Sequence, residues 1–389
     1  MCRGAAVAAW LLYGLCFFVK KGVSVPKSLQ NIYRELKEDV NFEIPGYDVP
    51  CFTGARYRIL RLRYNRRYIG RMVLGPYFPA ETTRMPRSLA ELGVHADPAD
   101  VRRLIERMPR LTPSTVSAMI YHARIVFEGP EDALKDTVNA QPVLLAFGVG
   151  VYRILESRGL KPDFAAGLSL GEYSALTAAG VFTDKEALDL ISFRAERMAR
   201  ASEGTDTVMS AVLGLERDVI RSICAEAGKA GKVEAANYNC PGQIVISGNE
   251  AGVSEAEKLA KEAGARRTMR LAVSGPFHTS YMKSVGKDLR EKFDSVNFGN
   301  MRFPVVFNCV GRGKKDDEDI KDLLARQVYS SVYFDDSIRY MREHGVKKII
   351  EIGPGKALSG FVKKTCRDID VINVEKAEDI GEAEKWTEK

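Results

Sequence analysis

From about Ala123 onward the spacing of apolar and polar positions becomes regular and predicts a definite order of elements. Residues 141–155 repeat their apolar side chains as a buried helix does. Residues 163–168 read as a short strand running straight into a turn at Ser169. Residues 170–179 are rich in helix formers and end at Gly180, which suits a C-cap. The local expectation is strand, sharp turn, helix.

A different rhythm follows. Residues 208–215 are strand-like, 217–227 helical, 233–238 and 243–248 paired strands across Asn239-Cys240-Pro241-Gly242, 254–263 helical and 267–273 strand-like. A β-α-β-β-α-β order is the ferredoxin-like pattern, so residues 208–273 are expected to form a small inserted subdomain. Residues 303–308 and 348–352 then read as buried parallel strands with helices after each. Residues 121–207 and 274–389 are therefore expected to form one larger α/β unit around the insertion.

Residues 1–120 have neither helix nor strand periodicity and give no fold assignment. Residues 5–19 are apolar apart from Gly14, with Arg3 before them and Lys20, Lys21 and Gly22-Val23-Ser24 after. That order of basic, apolar and small residues is a secretory signal pattern, with a signal anchor as the alternative. No stable membrane insertion is expected once such a leader is removed. Residues 56–87 carry nine arginines against one acid, Glu81, which suits the transit part of a two-part organelle address, plastid-type or mitochondrial. Disorder or an incorrect gene model fits the region as well.

Charge narrows the partner classes. The formal net charge is +7, but residues 1–120 hold 19 Lys or Arg against 10 Asp or Glu, and the remainder 39 against 41. With the excess confined to the first third and no basic stripe interleaved with aromatics beyond it, a nucleic-acid partner is excluded. The chain's 389 residues, 45% of them apolar, suffice for a large core and two folding units besides a leader. Its seven cysteines include no C-x-x-C pair, and there are only four histidines. Neither a zinc site nor a disulfide framework is expected.

Candidate chemistry centres on Gly167-Leu168-Ser169-Leu170-Gly171. Small residues around a serine let a strand turn sharply into a helix and expose the hydroxyl, and the Leu170 N–H at the helix start can stabilise an oxyanion. An ordinary structural turn would use the same residues, but the predicted strand before and capped helix after favour a nucleophile. A serine nucleophile needs a base. His95 and His122 fall in or beside the N-terminal region, and His344 in Arg342-Glu343-His344-Gly345 reads as a solvated helix end. Elimination leaves His278, in a loop rich in chain breakers.

Four segments carry a family resemblance: Gly167-Leu168-Ser169-Leu170-Gly171-Glu172-Tyr173-Ser174-Ala175, Asn237-Tyr238-Asn239-Cys240-Pro241-Gly242-Gln243, Gly275-Pro276-Phe277-His278 and Glu351-Ile352-Gly353-Pro354-Gly355. In this order they resemble malonyl-CoA:acyl carrier protein transacylase, over residues 123–374. The resemblance implies an α/β-hydrolase-like large subdomain with a parallel sheet and a ferredoxin-like insertion. It implies Ser169 as acyl acceptor, His278 as base, Arg194 as the grip on the malonyl carboxylate, and Gln327 as the residue whose backbone carbonyl orients the histidine. Taken alone, Arg194 would pass for an exposed helix charge beside Arg197 and Arg200, and Gln327 for a surface glutamine. Asn237 and Asn239 resemble residues near the site, and Phe277 resembles a malonate-preferring variant. The implied partners are malonyl-CoA and acyl carrier protein, with no metal and no tightly bound cofactor.

One departure stands out. The family begins its first strand with a Gly-Gln-Gly segment that completes the oxyanion hole, and residues 1–122 contain none; Gln30 in Leu29-Gln30-Asn31 lacks a flanking glycine. Loss of one such donor costs on the order of 10²–10³ in rate, and a missing strand leaves an unpaired sheet position. The N-terminal region is therefore either a leader or a mis-specified N-terminus. The expected reaction is transfer of malonyl from its CoA thioester to the carrier's phosphopantetheine thiol through a Ser169 ester. The alternatives are a serine esterase with an acid as third member, and an impaired homologue that still binds carrier protein.

Overall fold

The regular apolar spacing of residues 141–155 falls inside helix α1 (Thr137–Ser157), which buries Leu145, Val149, Val151, Tyr152 and Leu155. The computed structural model describes residues 46–50, 56–64, 67–79, 110–111, 131–272 and 275–387, which lie in two units, residues 1–133 and 134–389. The apolar run at residues 5–19, Gln30, His95 and His122 lie outside the described residues.

Within the first unit, β1 (Gly46–Pro50), β2 (Arg56–Tyr64) and β3 (Arg67–Pro79) pair antiparallel, and β4 (Arg110–Leu111) pairs parallel with β3. Strands occur here although the sequence showed no strand period. In Arg56–Tyr64 the alternation of arginine with apolar residues changes phase at Ile59-Leu60, which hides the period of two.

Near the start of the second unit, after a short helix over Glu131–Lys135, stands α1, long and apolar enough to cross a bilayer, although 56% of its apolar window is buried inside the fold. It is a core helix. Next come β5 (Ala165–Ala166), α2 (Gly171–Ala178) and α3 (Asp184–Ser202). A capping box starts α3: Thr183 Oγ1 accepts from Glu186 N–H, and Glu186 Oε2 accepts from Thr183 N–H. The helix then buries Ala187, Leu190, Ile191, Arg194, Ala195 and Met198 at helical spacing.

The inserted subdomain runs through β6 (Thr207–Leu213), α4 (Arg217–Ala227), β7 (Val233–Cys240), β8 (Gln243–Asn249), α5 (Glu250–Glu262) and β9 (Arg267–Arg270). Its strands lie in the order β7-β8-β6-β9, each neighbour antiparallel, which is the ferredoxin-like arrangement the sequence suggested. The hairpin is tighter than expected. Asn239 and Cys240 belong to β7, Cys240 pairs with Gln243, and a register shift between Tyr238 and Cys240 absorbs the extra residue. The turn shrinks to Pro241-Gly242, where Gly242 takes φ 67°. Ile220, Ile246, Val253 and Ala256 fill the core beneath this sheet.

The chain returns through α6 (Lys283–Phe293), β10 (Val305–Phe307), β11 (Arg312–Gly313), α7 (Ile320–Gln327), β12 (Val332–Tyr333), α8 (Phe334–Glu343), β13 (Lys348–Ile352), α9 (Ala357–Thr365), β14 (Asp370–Val374) and α10 (Ala377–Thr387). β12 adds a fifth strand to the insertion's sheet, parallel to β7. The remaining strands form two ladders: β10 between β5, parallel, and β11, antiparallel; and β13 parallel to β14. Between β5 and β13 lies a cavity of about 1250 Å³ lined by Ala165, Ala166, Ile350 and Ile352 among others. Among the described residues β5 is paired by β10 alone, and the strand expected over residues 163–168 is only the two residues that β10 pairs. The main core, with Tyr173, Leu190, Phe293 and Phe307 at its centre, packs directly beneath the Ser169 turn.

Candidate active site

The turn at Ser169 is built by close approach of backbone. A Cβ at Gly167 would overlap the carbonyl carbon and oxygen of Gly171, whereas one at Gly171 would meet nothing within 4 Å. Only the first glycine of the G-x-S-x-G pattern is sterically required by the described residues. Ser169 takes φ 54° and His278 takes φ 60°, the two non-glycine residues with positive φ among those described. An L-residue pays roughly 1–2 kcal/mol for that conformation, so both are held by their surroundings.

These two meet. His278 Nε2 lies 2.7 Å from Ser169 Oγ, and His278 Nδ1 lies 2.9 Å from the Gln327 carbonyl oxygen. A carbonyl can only accept, so Nδ1 carries the proton and Nε2 is left to accept from the serine hydroxyl. The His278 N–H donates to Val328 O, which fixes the loop to the end of α7. Burial, helped by the Arg194 charge, lowers the His278 pKa from 6.5 to about 4, while the Gln327 carbonyl pulls it up. The imidazole is therefore neutral near pH 7, the form a general base requires.

Arg194 is completely buried on the inner face of α3. Its Nη2 donates to Ser169 Oγ at 2.9 Å and to Gln327 Oε1 at 3.1 Å, its Nη1 donates to Gln141 Oε1, and its Cζ lies 5.6 Å from the centre of the Tyr173 ring. Nε has no partner, and among the described residues no carboxylate stands within ion-pair distance. Burial pushes its pKa down, and the nearby Tyr173 and Glu172 pull it up. A buried guanidinium without a counter-ion is costly to keep, and an incoming anion removes that cost.

Gln327 corrects the surface reading: it is 0% exposed. Beyond offering its carbonyl to His278, its Nε2 donates to Ser169 O at 2.9 Å. Arg194 likewise corrects the exposed-charge reading, since its spacing from Leu190, Ile191 and Met198 places it on the inner face. Leu170 caps the start of α2, and no hydrogen bond engages its N–H among the described residues. Asn237 and Asn239 are buried on β7 and are not brought into hydrogen bonding with Ser169, His278 or Arg194. Phe277 packs between the main core and the cluster around Met209, Ala211 and Val245, where the insertion joins the larger subdomain. His344 is exposed at the end of α8, its Nδ1 donating to Tyr340 O at 2.8 Å.

Three participants were not anticipated from the sequence. Gln141 fixes the guanidinium, and its polar side chain inside an otherwise apolar stretch was the available signal. Asn308 and Glu172 hold the turn itself, and only Glu172's place within the glycine-serine segment hinted at a role. Among the described residues no cluster of His, Cys, Asp or Glu could hold a metal, and Cys224, Cys240, Cys309 and Cys366 are free and buried.

Comparison with known proteins gives a consistent picture. Residues 107–388 match the model of the acyl transferase domain. The chain is 42% identical over 257 residues to malonyl CoA-acyl carrier protein transacylase of Bacillus subtilis (strain 168), covering 66% of this chain and 81% of that protein. Among solved structures it resembles acyl-carrier-protein S-malonyltransferase from Burkholderia pseudomallei 1710b, with TM-score 0.67, 37% identity and 77% and 95% of the two chains covered. A malonyl-transacylase solved in complex with a type II PKS acyl-carrier protein matches with TM-score 0.66 at 35% identity, over 68% of this chain and 86% of that one.

Proposed function

Because the chain belongs to the acyl transferase domain family, we propose that it transfers a malonyl group from malonyl-CoA to the phosphopantetheine thiol of acyl carrier protein, for fatty-acid synthesis. The relatives' names point to this donor and acceptor. The observation that carries the reading is Arg194, a buried cation without a carboxylate partner, one hydrogen bond from the Ser169 hydroxyl. An acyl group ending in a carboxylate suits such a site, with two parallel hydrogen bonds to the guanidinium.

Ser169 Oγ gives its proton to His278 Nε2 and attacks the thioester carbonyl, whose oxyanion meets the Leu170 N–H. The C–S bond breaks, His278 returns the proton to the leaving CoA sulfur, and malonyl remains as a Ser169 ester. The carrier's thiol then gives its proton to His278, attacks the ester carbonyl and takes the malonyl group as Ser169 recovers its proton. The Gln327 carbonyl orients the imidazole without adding negative charge beside an anionic substrate. Side chains and amides supply every step, so the scheme calls for no metal or tightly bound cofactor.

Labelled malonyl-CoA tests the scheme. Wild type should retain one malonyl per chain as an ester and Ser169→Ala none; retention by Ser169→Ala would overturn it. A serine esterase would set a carboxylate against His278 Nδ1, where this chain has a backbone carbonyl. One observation favours a second reading, an impaired homologue that still binds carrier protein: the described residues supply Leu170 N–H as the only oxyanion amide identified. Undetectable turnover with retained carrier binding would support it. The same proposal assigns the chain to an organelle of fatty-acid synthesis, on the basic, apolar and small-residue order of its first residues. Imaging residues 1–120 fused to a fluorescent protein tests that assignment, and a diffuse cytosolic signal would reject it.

A further inference from the structure

Ser169 sits in a strained conformation, and what restrains it lies far away in the sequence. Asn308 follows β10, the strand beside β5, and is 1% exposed. Its Oδ1 accepts from Ser169 N–H at 2.6 Å, and its Nδ2 donates to Gly167 O at 2.7 Å. Asparagine suits this place because one planar group offers an acceptor and a donor side by side, matching an N–H and a C=O two residues apart. The main chain of Asn308 is itself tied down: its N–H donates to Glu172 Oε2 at 2.6 Å, and its carbonyl accepts from Tyr333 N–H at 2.9 Å.

Glu172 closes the loop. It stands in the first turn of α2, the helix that leaves the Ser169 turn, and is fully buried. Gly167 and Ser169 before the helix, and Glu172 inside it, are therefore all bound to one residue. Burial raises the Glu172 carboxyl to about 7, against the lowering effect of the Asn308 N–H, Gln327 and Arg194. A group so costly to bury is kept where its hydrogen bond matters.

We infer that Asn308, fixed by Glu172, is the positioning residue of the nucleophile turn, clamping Gly167 and Ser169 so that Ser169 Oγ stays between His278 Nε2 and Arg194 Nη2. The clamp also takes up the Ser169 N–H, which leaves the next amide, Leu170 N–H, for the oxyanion. Asn308 touches no substrate atom in this scheme and acts through Ser169. The inference rests on the reading of Ser169 as the acyl carrier.

The test is single-turnover acylation by malonyl-CoA, together with phosphonylation of Ser169 by a fluorophosphonate, a probe that needs no carboxylate grip. Loss of registration at the nucleophile lowers rates by about 10²-fold. Asn308→Ala should therefore lose about that much in both reactions while KM for malonyl-CoA holds. Asn308→Asp keeps an oxygen for the Ser169 N–H but sets another against Gly167 O, and should lose about tenfold. Glu172→Gln, which still accepts from Asn308 N–H, should stay within about threefold of wild type, and Glu172→Ala should not. Wild-type rates in folded Asn308→Ala, or a loss appearing only in KM, would overturn the inference. If Asn308→Ala does not fold, Asn308→Asp decides: wild-type phosphonylation there overturns it as well. Failure of wild type to carry malonyl on Ser169 would instead sink the functional reading, so the two failures are separable.

Discussion

Arg194 Nη2 stands 2.9 Å from Ser169 Oγ, so a buried guanidinium touches the proposed nucleophile before any substrate arrives. In the proposed scheme Arg194 would act as a selector as well as a grip. Removing a buried charge-assisted contact costs about 3–4 kcal/mol. Arg194→Ala should lower kcat/KM for malonyl-CoA by about 10²–10³-fold and leave the slow reaction with acetyl-CoA unchanged or faster. Equal losses on both thioesters would argue against a carboxylate grip.

His278 gives the pH dependence. Its folded pKa of about 4 lies below its ordinary 6.5. The unfolded chain therefore takes up a proton as pH falls through 6.5, and the folded chain does not until about 4. The His278 contribution to stability is full above 6.5, declines from there to about 4 and is flat below. Activity should follow the folded value: kcat/KM for acylation, which reports the free enzyme, stays level through pH 6.5 and falls toward pH 4. A base limb centred near 6.5 would place the imidazole in a wetter site than the one described.

The two glycines beside Ser169 should behave differently. Gly167→Ala forces a Cβ into the Gly171 backbone and should cost about 3 kcal/mol or more. Gly171→Ala opens helix α2 with a better helix former and meets open space, so it should be neutral or stabilising by up to about 1 kcal/mol. Urea denaturation of the pair separates them, and equal midpoints would contradict the overlap.

Backbone strain at Ser169 is measurable without activity. Ser169→Gly and Ser169→Ala both lose the hydroxyl, but only glycine accepts φ 54° freely. The glycine variant should be more stable by about 1–2 kcal/mol. Identical stabilities would mean that the turn relaxes in the alanine variant.

How much of this was legible in the chain depends on how local each signal is. The insertion's order could be read because β6, β7 and β8 are short, largely apolar runs between local turn and helix signals, and the hairpin advertises itself by Pro241-Gly242. Ser169 is marked by its glycines, whereas His278 is reached by elimination among the four histidines. The inner-face placement of Arg194 was present in its spacing from Leu190 and Ile191 but was overridden by the neighbouring Arg197 and Arg200. Asn308 was not legible at all, since its two side-chain bonds reach residues 139 and 141 positions away. The short reach of β5 was equally hidden, because strand length depends on neighbours the local pattern does not contain. In β2 the sequence carried the signal, but with a phase break that a strict period misses.

The cavity between β5 and β13 has a consequence for how the molecule comes apart. No ladder hydrogen bond crosses it among the described residues; there β13 and β14 meet the rest through apolar side chains, with Val151 and Leu155 of α1 against Val374, Ile380 and Ala383, and Val332, Phe334 and Ile338 in one cluster with Val362, Cys366 and Ile369. Apolar contacts loosen together, whereas a continuous ladder would have linked the two parts amide by amide. Native-state hydrogen exchange should therefore find a seam here, with the amides of β13, β14 and α10 opening as one cooperative block ahead of those around Phe307. Leu168, one residue before Ser169, packs against the cluster that includes Val362, Cys366 and Ile369, so opening of this block is felt at the Ser169 turn.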